Sequence, residues 1–318
     1  MGDTQSFSVA KTFNIKAPEK LKIEGRAQPN ELCPEVDADY VFRPEVLSTV
    51  LAWLSSDTED GLYLTGPTGA GKTSLIRQIC ARINRALIHV GAHEHMEMAD
   101  LVGHYVAVDG DLIFQDGPLT MAMRGGHLFM IDEYDLLSPA TAAGLNPILD
   151  GAPLVIAENG GEVVKPEPGF RFIATGNTAG AGDDTGIYQG TERQNAAMMD
   201  RFWVEQVDYP DKTVEVGLLR RIHGISDAIG TRLVEVANEI RRAYLEGGEL
   251  TLDLPFSTRS LLRWAYVTKL LSGRVDTQKT KPIIRAMDTS YANRLEPSAR
   301  QAVHDIIERH LGVGAGQA

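Results

Sequence analysis

Gly66-Pro67-Thr68-Gly69-Ala70-Gly71-Lys72-Thr73 follows directly on the apolar run GLYLT and opens KTSLIRQICARIN, a segment with helical apolar spacing. The fixed positions of G-x-x-x-x-G-K-T are those of a phosphate-binding loop between a strand and a helix. Glycine accepts backbone dihedrals that other residues resist, so successive N–H groups can turn inward around an anion. The helix start behind the loop adds free N–H donors and the favourable end of its dipole. Lys72 is thereby placed to reach the β- and γ-phosphates of a nucleotide, and the Thr73 hydroxyl to complete a Mg²⁺ shell. Gly66, Pro67, Thr68, Gly69, Ala70, Gly71, Lys72, Thr73 and Ser74 are the candidate nucleotide-binding residues. A chain carrying this loop in this context is expected to build a parallel α/β sheet around it.

The 318 residues exceed one average domain, and 43% hydrophobic with 23% charged residues is ordinary for a chain that buries real cores. No apolar run approaches the roughly 18–20 residues that cross a bilayer, and MGDTQSFSVAKTF does not read as a signal peptide. Cys33 and Cys80 are the only cysteines, so no disulfide framework is expected and a reducing cytoplasm fits. Lys plus Arg is 31 and Asp plus Glu is 43, a net charge of −12 that argues against binding a nucleic-acid backbone.

Residues 1–39 are polar, carry Pro18, Pro29 and Pro34, and show little periodicity; they read as an extended arm or linker. Residues 40–209 alternate short apolar runs with helical stretches, which predicts an α/β core whose strands are GLYLT, ALIHV, HLFMI, RFIAT and WVEQV. From 210 to 318 the strand signal is gone and four helical segments, TVEVGLLRRIHGI, TRLVEVANEIRRAYLEG, STRSLLRWAYVTKLL and PSARQAVHDIIERHLG, predict an α-helical domain closed by a loose tail, GVGAGQA.

The run HLFMIDEYD places a buried strand ahead of Asp132 and Glu133. A carboxylate at the first position can hold Mg²⁺, and one at the second can orient and deprotonate an attacking water. RFIATGNT is another apolar strand ending in an amide, Asn177, suited to position that water. NAAMMDRF puts Arg201 at a helix end, where an arginine cannot easily serve its own nucleotide but could stabilise phosphoryl charge in a neighbouring subunit. Arg193 competes for that role, and a surface ion pair of Arg201 with Asp200 or Glu205 is the plain alternative. STRSLLRW opens a helix with Ser257 or Thr258 as cap and Arg259 in its first turn. A cation there opposes the helix dipole, which a contact to nucleotide phosphates would explain.

In this order the elements resemble AAA+ ATPases over about residues 40–310, and within them the MoxR-type group, most nearly the ATPase subunits of aerobic cobaltochelatases. The closer match lies in VDADYVFRPE, DLVGHYVAVDGDLIFQDGPL, FMIDEYD, FRFIATGNTAGAGDDTGIYQGT and QNAAMMDRF. The resemblance implies a P-loop core with a parallel five-stranded sheet, two hairpin insertions and a C-terminal helical lid, assembled as a hexameric ring with ATP and Mg²⁺ between subunits. It implies remodelling of a partner protein carrying a von Willebrand factor A domain, to insert or activate a metal centre. By position, Lys72 and Thr73 match the phosphate loop, Asp132 and Glu133 the metal and water pair, Asn177 the first sensor, Arg201 the trans finger and Arg259 the second sensor. Val41 or Phe42 of YVFRP is the implied base contact. The ATPase subunit of a cobalt chelatase complex and a nucleic-acid motor stand as alternative functions. No D-x-S-x-S metal-adhesion motif is present, so the partner's domain is expected on another chain.

Two further segments fit that picture. YVAVDGDLIFQDGPL alternates around a DGD turn and predicts a hairpin interrupting a helix; PLVIAENGGEVVKP predicts a second, with an ENGG turn. In the resembling group, hairpins at these places touch the substrate. His89, His93, His95 and His104 straddle a strand end and a loop, a spacing that suits solvated histidines better than metal ligands.

Overall fold

The computed structural model describes residues 3–182, 190–245, 252–274 and 281–312. The run at 183–189 within the quoted GDDTGIYQG stretch and the tail at 313–318 lie outside the described residues. The chain divides into two compact units, Met1–Gly66 with Gly71–Val207, and Pro67–Ala70 with Asp208–Ala318.

The first unit begins with an antiparallel pair, β1 (Thr4–Ser8) and β2 (Lys22–Arg26), joined through helix α1 (Val9–Phe13). This corrects the expected extended arm. Val9, Phe13 and Ile23 are buried, and the Phe13 ring meets Phe42 edge-on at 5.0 Å. Gly25 lies so close to the chain at Ile83 that a Cβ would stand 2.0 Å from the Ile83 carbonyl oxygen. Arg26 N–H donates to that same oxygen at 3.0 Å. The segment is thus folded onto the core by tertiary contacts that polar composition does not announce.

Helix α2 (Pro44–Ser55) starts with Pro at its first position, where the missing N–H costs nothing, and buries Val46, Leu47, Val50, Leu51 and Trp53 along one face. Then come β3 (Gly61–Thr65), α3 (Lys72–Arg82), β4 (Leu87–Gly91) and the short α4 (Met98–Val102). The first hairpin, β5 (Gly103–Val108) and β6 (Asp111–Asp116), turns at Asp109-Gly110, both with positive φ, the geometry that matches strand twist. It separates α4 from α5 (Pro118–Gly125), as expected of a hairpin interrupting a helix. β7 (Leu128–Asp132), α6 (Pro139–Gly144) and α7 (Asn146–Leu149) lead to the second hairpin, β8 (Leu154–Ile156) and β9 (Glu162–Val164). β10 (Arg171–Gly176), α8 (Ala196–Met199) and β11 (Phe202–Gln206) complete the unit.

The five apolar runs form one sheet in the order β11-β3-β10-β7-β4, every neighbouring pair parallel. Three of the five are displaced by one residue from their expected starts, within the usual uncertainty of element ends. Tyr63, Tyr134, Phe172 and Phe202 meet edge to face in the core at centroid spacings from 5.7 Å (Tyr63–Phe202) to 6.4 Å (Tyr134–Phe172). Such pairs add about 0.5–1.5 kcal/mol each beyond area burial.

The second unit, among the described residues, is helical: α9 (Lys212–His223), α10 (Asp227–Leu245), α11 (Thr258–Leu271), α12 (Pro282–Ser290) and α13 (Pro297–Leu311). Four correspond to the expected segments; α12, nine residues long, was too short to stand out by periodicity. Ser257 is the cap of α11, accepting from Ser260 N–H at 3.1 Å. Glu215 and Arg241 form a buried pair at 2.7 Å. Arg241 Nε donates to the Phe256 carbonyl at 2.9 Å, and the Thr258 hydroxyl to Glu215 at 2.7 Å, so this pair fixes the turn into α11.

Candidate functional site

In a parallel sheet the carboxyl ends of the strands face the loops that bind ligands. β3 ends at Thr65 and runs into the glycine loop; Gly66, Gly69 and Gly71 have φ of 140°, 76° and 95°. A Cβ on Gly66 would stand 2.2 Å from the Val207 carbonyl oxygen, so only glycine fits where the loop leaves the strand. Gly71 caps α3 in the left-handed region, and its carbonyl accepts from Leu75 N–H at 2.9 Å. The apex Pro67–Ala70 belongs to the helical unit, where Ser257 packs directly on Gly69 and Tyr209 Oη donates to the Thr68 carbonyl at 3.0 Å. Ser74 is exposed in the first turn of α3.

Lys72 is only 8% exposed. Its Nζ donates to the Gly66 carbonyl at 2.6 Å and to Asn177 Oδ1 at 3.0 Å. Burial pushes the ammonium down to about 8, against the pull of Asp135, Asp132 and Glu133. The Thr73 hydroxyl donates to the Asp132 carboxylate, 2.9 Å from Oδ2. Lys72, Thr73, Asp132 and Asn177 are thus brought together at the ends of β3, β7 and β10.

Asp132 is also bonded by the Thr175 hydroxyl, and His89 Nε2 lies 3.4 Å from its Oδ2. Burial pushes the Asp132 carboxyl up, but the bonds from His89, Thr175 and Thr73 outweigh it and hold the group down at about 2. Glu133 sits in the left-handed region at φ 58°, exposed, and its carboxylate makes no hydrogen bond among the described residues. Burial, then the neighbouring Asp132 and Asp135, raises its pKa. Two adjacent carboxylates with proton affinities pushed apart are the arrangement that separates a permanent anion from a base.

The donor set fits Mg²⁺ with a nucleotide: a hydroxyl and a carboxylate already in contact are hard oxygen ligands, and the glycine loop with its buried ammonium forms an anion cradle. The histidine cluster does not make a metal site. His93 and His95 are exposed, His89 faces Asp132, and among the described residues no group of three or more His, Cys, Asp or Glu could hold an ion.

Several residues here were not legible in the motifs. Asp135 is fully buried, and its Oδ2 accepts from the N–H groups of Asn177 at 2.7 Å and Thr178 at 3.0 Å. It thereby fixes the backbone that carries the Asn177 amide. Thr175 holds Asp132 from the neighbouring strand, and Arg43 brings a guanidinium near Gly71, its Nη2 3.9 Å from where a Cβ would stand. The only signal for Asp135 was a third acid in DEYD; Arg43 and Thr175 gave none. Phe42, an expected base contact, is taken by the core instead: its ring meets Phe13 and Tyr40, and Arg82 lies over it at 4.9 Å.

Arg201 lies at the other end of the sheet. Its carbonyl accepts from Gly61 N–H at 2.9 Å, and Phe202 is in register with Gly61 while Gln206 is in register with Thr65. Five strand residues, about 16 Å, separate it from the level of its own phosphate loop. Its guanidinium pairs with Asp150 at 2.7 Å, not with Asp200 or Glu205. Arg193 is exposed beside Gly182. Arg259 is exposed in the first turn of α11, two residues after the Ser257 that packs on Gly69.

The two hairpins are tied together. Arg124 Nε donates to Asp116 at 2.8 Å and Nη2 to Glu162 at 2.7 Å, while Tyr105 Oη bonds Asn159 at 3.2 Å. Leu112, Ile113, Val155 and Val163 stand exposed on them, Leu112 at 72%.

Residues 61–202 match the AAA domain family (dynein-related subfamily), and residues 215–310 match the CbbQ/NirQ/NorQ C-terminal family. The chain is 28% identical over 319 residues to the aerobic cobaltochelatase subunit CobS of a Sinorhizobium species, covering 97% of this chain and 91% of that protein. It is 30% identical over 208 residues to protein NorQ of Paracoccus denitrificans, covering 65% of this chain and 73% of that one. Among solved structures, the RuvB Holliday junction branch migration motor of Thermotoga maritima superposes with a TM-score of 0.49 at 14% identity, over 81% of this chain and 72% of that one. No helix among the described residues is long and apolar enough to cross a membrane.

Proposed function

Because the chain belongs to the AAA+ ATPases of the MoxR type, a family that uses ATP with Mg²⁺, we propose that it hydrolyses ATP as a hexameric ring and spends the cycle remodelling a partner protein. The reading is carried by the convergence of Lys72, Thr73, Asp132 and Asn177, with the exposed Glu133 carboxylate beside them making no hydrogen bond among the described residues.

In this mechanism the glycine-loop N–H groups and Lys72 hold the phosphates, and Thr73 and Asp132 hold Mg²⁺. When bound, Mg²⁺ supplies neutralisation of the charge that develops on the phosphate oxygens. Asn177, held by Asp135, orients the attacking water, and Glu133 takes its proton. Arg201 projects to the site of the neighbouring subunit, and Arg259 is assigned to the phosphates. The raised proton affinity of Glu133 suits a base, and the depressed one of Asp132 suits a permanent metal ligand.

The tied hairpins, with their exposed aliphatic residues, are the proposed contact to the client. A metal-centre task is supported by the likeness to a cobaltochelatase subunit, and a partner with a von Willebrand factor A domain is what the family resemblance implies. Service as the ATPase subunit of a cobalt chelatase is the second reading, favoured by a match over nearly the whole chain.

Phosphate release by the purified wild type tests the reaction. Lys72→Ala is expected to lose nucleotide binding, and Glu133→Gln to bind ATP without turnover. Full turnover by Glu133→Gln would sink the mechanism. The same variant, trapped with ATP and recovered from host extract, tests the client: a von Willebrand A-type protein supports the first reading, a large tetrapyrrole-binding subunit the second.

A further inference from the structure

Gly61 has no side chain, and two large residues close into that space. A Cβ there would stand 2.6 Å from the Phe202 ring and 2.9 Å from Leu149. The next residue outward from each is Arg201, ahead of β11, and Asp150, behind α7. Their backbones are fixed by buried neighbours, and their side chains meet.

Arg201 Nε donates to Asp150 Oδ1 at 2.7 Å and Nη2 to Oδ2 at 3.1 Å. Nη1 turns back to the Ala197 carbonyl at 2.5 Å. A guanidinium carries five N–H donors in a rigid plane. Three are engaged here, and the remaining two, one on each terminal nitrogen, meet no acceptor among the described residues. With Nε and one hydrogen of Nη2 committed sideways to Asp150, the two unused N–H groups sit one on each terminal nitrogen, where they can meet phosphate oxygens.

We propose that Asp150 is a positioning residue: it holds the Arg201 guanidinium so that its two unused N–H groups are presented to nucleotide phosphates bound by a second copy of this chain. The inference rests on the trans reading of Arg201 given above. A long arginine side chain otherwise samples many rotamers, and three bonds to two anchored segments remove that freedom before the subunits meet. The alternative is a counter-ion that merely neutralises Arg201. The two differ in sign: loss of a neutralising carboxylate strengthens attraction for phosphate, whereas loss of a positioning one lowers turnover.

The test compares Asp150→Ala, Arg201→Ala and the double variant in steady-state ATP hydrolysis by the full-length protein, with assembly followed by light scattering. Asp150→Ala is expected to lower kcat by about tenfold to a hundredfold with KM for ATP unchanged, as a misplaced group does. In the Arg201→Ala background the same change is expected to alter nothing further. Asp150→Asn, of equal size, is expected to fall between Ala and wild type, and it carries the test if the Ala variant does not assemble. Unchanged or increased kcat in Asp150→Ala, while Arg201→Ala is inactive, overturns the proposal. Failure of both Asp150 variants to assemble also overturns it, since Asp150 would then act in assembly. Turnover that survives Arg201→Ala overturns the trans reading instead.

Discussion

Arg241 in the helical unit and Arg201 in the sheet unit each meet a carboxylate through two parallel bonds, but they use different edges of the guanidinium. Arg241 points its forward fork at Glu215, Nη1 to Oε2 at 2.8 Å and Nη2 to Oε1 at 2.7 Å. Its other donors go to Phe256 and Asn238, each at 2.9 Å, and to Thr258 at 3.5 Å, and Arg241 lies over the Tyr209 ring at 4.2 Å. Arg201 bonds sideways to Asp150, gives one Nη1 hydrogen to the Ala197 carbonyl, and keeps one N–H on each terminal nitrogen without an acceptor among the described residues. Exposure follows the same division: 4% and 0% for Arg241 and Glu215, against 30% and 51% for Arg201 and Asp150. One arginine is consumed by the fold; the other is held but not satisfied. A saturated buried pair is a structural joint, whereas an unsaturated, half-exposed one keeps donors that water or a ligand can take.

The largest expected effect falls on catalysis at Arg201. Arg201→Ala is expected to lower ATP turnover by about 10³–10⁵-fold, the range for a trans arginine, while the melting temperature hardly changes. Arg201→Lys should lose most of that turnover too, because an ammonium cannot give two parallel bonds. A large drop in melting temperature with little loss of turnover would reverse the roles assigned to the two arginines.

Glu215→Ala comes next and acts on stability. It strands a buried cation and is expected to cost about 3–5 kcal/mol, read in urea unfolding of the nucleotide-free protein. A loss near zero would show that water or a rearranged side chain replaces the carboxylate, and would end the contrast.

The smallest effect concerns a pair of intermediate exposure. Asp288, buried in α12, is bonded by Arg300 Nη2 at 2.7 Å and by His304 at 2.7 Å. Burial pushes its carboxyl up, but the bonds from Arg300 and His304 prevail and depress it below the usual range. A depressed carboxyl stabilises the fold above its unfolded pKa, near 4, and that contribution is lost as pH falls through its lower folded value. Acid unfolding below about pH 4 is therefore expected to be shallower in Asp288→Asn than in wild type; identical acid profiles would count against the assignment.

The five sheet strands were legible because each is an apolar run bounded by turn chemistry, and the two hairpins because DG and NGG demand positive φ. The cradle was legible for a similar reason: glycine and lysine positions in a phosphate loop are set by local backbone geometry. What could not be seen were groups whose importance arises only across the sheet. Asp135 reads as one more acid until β10 brings Asn177 against it, and Asp150 reads as a helix-end aspartate until Gly61 lets Leu149 and Phe202 close in. The fold of residues 3–39 is not legible in the sequence because, among the described residues there, Val9, Phe13 and Ile23 are the only buried hydrophobic side chains, too few to set a period. Phe42 went to the core by the same tertiary logic, through a Phe13 ring contributed by that segment.

One measurement tests the central claim, that each site is completed by the Arg201 of another copy. Glu133→Gln and Arg201→Ala, both expected to be inactive alone, are co-expressed with different tags, and oligomers carrying both tags are assayed for phosphate release. At a junction where a Glu133→Gln subunit lends its intact Arg201 to the intact Glu133 of an Arg201→Ala subunit, a complete site is restored. Mixed oligomers are expected to regain a substantial fraction of wild-type turnover. Mixed oligomers that stay at the level of the separate variants would contradict the claim.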